Sequence, residues 1–69
     1  MLTEYIASGL RQAHYELMEK GGFFGSISQC QGAWAEADTL EACREELRGA
    51  LASWIVGGLR RGDSLPVLD

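Results

Sequence analysis

The chain is short of most of what chemistry at a protein site needs. Among its 69 residues stand one histidine, one proline and two cysteines, and six Lys/Arg against ten Asp/Glu. A single histidine, His14, leaves general acid–base catalysis without its commonest group. With His14, Cys30 and Cys43 as the only soft ligands, no C-x-x-C or H-x-x-x-H spacing exists to hold a metal. The two cysteines permit one disulfide, but apolar neighbours and the absence of a secretory signal read them as reduced, small apolar residues. The net charge of −4 argues against direct nucleic-acid binding, which needs cations to neutralise phosphates. The one basic doublet, Arg60-Arg61, suits a helix C-terminus instead. No apolar run approaches the length of a membrane span, and "MLTEYIASGLRQ" lacks the basic start and continuous apolar core of a leader. A cytoplasmic location is expected. One proline leaves little room for a linker, so residues 1–69 are expected to form a single domain.

What is present is patterning. Thr3 caps a short helix over 3–12, with Leu2, Tyr5, Ile6, Leu10 and Ala13 at helical spacing. "HYELMEKGGFFGSIS" alternates around Lys20-Gly21-Gly22, which predicts a β-hairpin. Tyr15, Leu17, Phe23, Gly25 and Ile27 fall on one face, and Glu16, Met18, Phe24 and Ser26 on the other. "GAWAEA" reads as a third strand, with Ala33, Ala35 and Ala37 on the side where a helix can approach and Trp34 and Glu36 opposite.

A long helix over 39–60 follows. Asp38 and Thr39 compete as its cap, with Glu41 at capping-box spacing from Asp38. Leu40, Cys43, Leu47, Ala50, Leu51, Trp54 and Ile55 make its core stripe, and Glu41–Arg44 and Glu45–Arg48 are expected ion pairs on the wet side. Gly62 ends it in a left-handed cap. The tail, 63–69, is expected as a short fourth strand confined to an edge by Pro66, or as an ordered arm. The fold class is therefore α+β: a short helix, a three-stranded antiparallel sheet over 14–37 and a long helix across one face.

A domain of this size has a marginal core and is usually stapled by a disulfide, a metal or a partner. With the first two disfavoured, self-association or a protein partner is expected. Free strand edges and the second sheet face, carrying Met18, Phe24 and Trp34, are the expected contact surface. Trp34 is read as lying either under the N-terminal helix or in an interface, and Trp54 as core. Cys30, in a loop, is the more reactive thiol, but no oriented base accompanies it. Glu36, Asp38 and Glu41 read as strand surface, cap and first helical turn.

The run from "ISQCQG" through "AWAEA" to "DTLEACREEL" resembles the HicB-like antitoxin family over about residues 14–60. Ile27, Gly32, Ala35, Thr39, Leu40 and Glu41 occupy that family's positions. Ser28 stands where the family normally has proline, and Cys30 where it has a larger apolar residue. The resemblance implies a fold like a truncated ribonuclease H core and a module that neutralises a small basic ribonuclease toxin by binding it. The toxin carries the catalytic histidine, so the resemblance implies no catalytic residue, cofactor or metal here. The C-terminal DNA-binding domain common in that family has no counterpart before Asp69, so operator binding is not expected. Two alternatives are an orphan homo-oligomer and a small-ligand or metal-binding protein using Cys30 and the Glu36/Asp38 region; a weaker one is nucleic-acid binding through Arg60 and Arg61.

Overall fold

The structure is a computed structural model and describes residues 2–66. Its elements in chain order are α1 (Leu2–Arg11), β1 (His14–Leu17), β2 (Phe23–Ser26), β3 (Trp34–Ala37) and α2 (Leu40–Arg61). This is the expected α+β arrangement, with helix ends displaced by one residue.

The three strands form an antiparallel sheet in the order β1-β2-β3. Tyr15 pairs with Gly25 and Gly25 with Ala35, while Leu17 pairs with Phe23 and Phe23 with Ala37. The alternation read from sequence therefore assigns each strand's faces correctly. The hairpin closes through Gly21 and Gly22, at φ 92° and 86°, values that a side chain rarely tolerates. The Gly21 N–H donates to the Met18 carbonyl and the Met18 N–H to that of Gly22, each at 2.9 Å.

α2 lies over β3 and, to a lesser extent, β2; α1 packs beside it. Cys43, Leu47, Leu51 and Ile55 are fully buried along α2 and meet Ile27, Cys30, Ala33, Ala35 and Leu10. Thr39, in extended conformation, is the cap, its Oγ1 accepting from the Ala42 N–H at 3.1 Å. Asp38 does not cap. At the other end Gly62 adopts φ 77°, and the Gly62 and Asp63 N–H groups donate to Leu59 and Gly58.

The core stripe needs two corrections. Leu40 is 49% exposed, because it heads the helix a turn before Cys43, the first α2 residue to reach the core. Trp54 is half-buried and braces a loop: its indole N–H donates to the Gln31 carbonyl at 2.9 Å. Of the expected ion pairs Glu45–Arg48 forms at 3.9 Å, while Glu41 and Arg44 form none among the described residues. Leu17, expected to share the covered face with Tyr15, is 71% exposed because α2 does not extend over β1.

The tail is an arm, not a strand, over its described part. Leu65 packs on the core beside Gly58, and the Tyr5 hydroxyl donates to the Pro66 carbonyl at 2.6 Å. The remainder of the expected strand, 67–69, lies outside the described residues.

Gly25 marks the tightest approach of helix to sheet. A Cβ there would sit 2.9 Å from Tyr15 Cε1 and 3.1 Å from Cys43 Sγ. Gly25→Ala is expected to cost about 1–3 kcal/mol through overpacking. Urea unfolding reads it directly, and an unchanged midpoint would mean the Tyr15 ring swings away freely.

Candidate interaction face

The sheet has one face under α2 and one without a helix. α1 packs on α2, on the covered side, so it does not shelter Trp34. On the open face the register sets two rows: His14, Ser26 and Trp34 across the strands, then Glu16, Phe24 and Glu36. The Phe24 and Trp34 rings stack with centroids 5.9 Å apart and planes 25° from parallel, so each reduces the other's exposure. Trp34 still leaves 53% of its surface in solvent.

Glu16 and Glu36 are exposed and flank Phe24 on both sides, and neither forms an ion pair among the described residues. Sequence reasoning placed these carboxylates on the outer face and gave only Glu36 a part, in the ligand- or metal-binding alternative. The signal was alternation; their convergence on Phe24 required the register.

Met18 stands past the end of β1, at the margin of that surface. It belongs to the hairpin turn after β1 and lines a shallow cleft with Lys20, Gly21, Gly22, Glu36, Ala37 and Asp38. Phe24 and Trp34 instead border a separate cleft floored by the 27–33 loop, where Ser28, Gln31 and Gly32 also stand.

That loop overturns the reading of Cys30 as the reactive thiol. Two successive turns, Cys30 N–H to the Ile27 carbonyl and Ala33 N–H to the Cys30 carbonyl, each 3.0 Å, send Ile27, Cys30 and Ala33 inward together. Cys30 is fully buried and faces Tyr5, away from the Glu36/Asp38 cleft. Burial pushes its thiol above the ordinary 9.0, an effect the Tyr5 side chain partly offsets. Cys43 is equally enclosed, its thiol donating to the Ala35 carbonyl at 3.6 Å. It too is raised, first by burial, then by the charges of Glu46 and Glu36, against a lowering contact with the Gly25 backbone. Both thiols are free.

Both cysteines are therefore expected to resist a thiol reagent in the native protein and to react rapidly in denaturant. Fast labelling of Cys30 in native buffer would contradict its burial. Tyr5 and Tyr15 are likewise raised by burial above 10.0. These four groups keep protons in the folded state that the unfolded chain releases. Their contribution to stability is complete below about pH 9 and falls as pH climbs through the higher folded-state values. The unfolding midpoint should drop as pH rises above about 9.

Among the described residues no group of three His, Cys, Asp or Glu stands close enough to hold a metal ion. No described helix is long and apolar enough to cross a membrane. The basic doublet is partly engaged, since Arg61 Nε meets Asp63 Oδ2 at 2.9 Å.

A family model described as UPF0150-like matches residues 4–66. The crystal structure of TTHA0281 from Thermus thermophilus superposes with a TM-score of 0.89 at 34% identity, covering 97% of this chain and 84% of that one. No curated protein matches.

Proposed function

We propose, from the premise that the chain belongs to the UPF0150-like family, that it is a non-enzymatic interaction module of the HicB antitoxin type, which binds and inhibits a small basic ribonuclease toxin. The observation that carries this reading is the open sheet face: a stacked aromatic pair, its Trp34 half-exposed, framed by carboxylates, on a chain of net charge −4. Aromatic anchors in a polar frame are the usual make-up of a binding hot spot. The resemblance through Ile27, Gly32, Ala35, Thr39, Leu40 and Glu41 supplies the toxin as the partner class. The enclosed thiols are consistent with a part played by contact rather than chemistry.

The test is to look for a short basic protein encoded beside the chain, express the two together and assay RNA cleavage; the absence of any such neighbour would also count against the reading. The expected result is a stable complex and suppressed cleavage. Undiminished cleavage at stoichiometric excess of this chain would overturn the reading. The orphan homo-oligomer is favoured by one observation, the β1 edge, which pairs with no further strand among the described residues and carries the exposed Leu17. Sedimentation of the purified chain tests that alternative.

A further inference from the structure

The open face also specifies what it binds. We infer that it is a seat for an arginine side chain of a basic protein partner, the guanidinium stacking on the Phe24–Trp34 pair between the Glu16 and Glu36 carboxylates. This deepens the antitoxin reading and rests on it for the identity of the partner.

Three observations lead here. The register puts Glu16 and Glu36 on either side of Phe24 in one row, about 10 Å apart at two strand spacings. A cation held above the ring between them is within reach of both. Trp34, stacked on Phe24, leaves half its aromatic surface in solvent, and guanidinium is the cation that stacks on an exposed ring while donating sideways to carboxylates. Finally, the two rows His14–Ser26–Trp34 and Glu16–Phe24–Glu36 contain no Lys or Arg, and Lys20, in the turn beside Glu36, forms no ion pair with it among the described residues.

The same facts disfavour a second copy as the occupant. Two such faces laid together would confront four carboxylates, with His14 the only basic type in either pair of rows. The face is also small. Three strands of four residues span about 14 by 14 Å, on the order of 200 Å², against roughly 800 Å² per partner in a stable interface. It fits the anchoring of a side chain within a broader contact, not a sheet-on-sheet dimer.

The test uses the intact chain labelled with nitrogen-15, whose two indole N–H signals report separately on Trp34 and on Trp54, bonded to Gln31. The probe is the capped peptide Gly-Arg-Gly-Arg-Gly, compared with the same peptide carrying neutral citrulline. The arginine peptide should move the Trp34 signal and leave Trp54 in place, and the citrulline peptide should move neither. The Glu16→Gln/Glu36→Gln double variant should weaken binding roughly five- to tenfold, with its Trp54 signal confirming the fold. High salt should weaken the parent similarly.

A Trp34 signal indifferent to the arginine peptide, an equal response to citrulline, or a double variant that titrates like the parent would each overturn the seat. So would a Trp34 signal that shifts on simple dilution, which marks self-contact. If the basic partner binds the double variant as tightly as the parent, the seat fails and the antitoxin reading stands. If the peptide titrates as expected but no short basic ribonuclease encoded beside the chain is found or inhibited, the seat stands and the antitoxin reading fails.

Discussion

Leu51→Ala is expected to remove about 2–5 kcal/mol of stability, a large share of what holds this small domain folded. Leu51 is fully buried midway along α2, between Leu47 and Ile55, in a core that also holds Ile27 and Leu10. Removing its branched end costs the transfer of the lost methyl groups plus the cavity left behind, about 2–5 kcal/mol. A chain of 69 residues has a total stability of roughly 3–10 kcal/mol at the usual per-residue figure. The substitution therefore consumes much of the margin. A urea titration followed by far-ultraviolet circular dichroism measures it. A loss below about 1 kcal/mol would show that the core collapses around the gap, against a close packing of α2 on the sheet. Leu40→Ala, on the same helix but 49% exposed, is the control and should change stability little.

Trp34→Glu should have the opposite profile, with the fold retained and binding lost. Trp34 has about half its surface in solvent, and its side chain is on the face away from α2, so the core does not depend on it. The substitution removes the larger half of the aromatic stack and adds a third carboxylate beside Glu36. Truncating an interface hot spot costs about 2 kcal/mol or more, which is roughly thirtyfold or more in Kd. Calorimetry against the basic partner gives the affinity, and an unchanged unfolding midpoint certifies the monomer. Retained affinity and retained oligomeric mass would remove this face from the contact surface. Trp34→Phe keeps an aromatic ring and should recover most of the binding.

The two substitutions mark how differently core and face could be read from sequence. Leu47, Leu51 and Ile55 were legible because helical spacing by itself collects them on one stripe. The same rule admitted Leu40, since spacing carries no information about where the sheet ends. Cys30 failed for a related reason. It sits in a loop, where no period applies, and its burial depends on two consecutive turns that carry it under Tyr5. Phe24 and Trp34 were legible as outward-facing by alternation. Met18 fell on the same parity but lies one residue past the end of β1, in the turn, where it lines a cleft with Glu36.

Local features were written in the order of residues: the glycine hairpin, the faces of all three strands, the Gly62 stop and the α+β class. Each follows from the conformational limits or side-chain period of a few adjacent residues. Packing was needed to set α1 beside α2 instead of over Trp34, to enclose both thiols, and to bracket one aromatic ring with two glutamates. Those outcomes depend on which element covers which and on strand register, and they join residues such as Glu16 and Glu36 that are distant along the chain. The open face exists because the long helix covers one side of a three-stranded sheet and the short helix packs beside it, setting Tyr5, Ile6 and Leu10 in the same core.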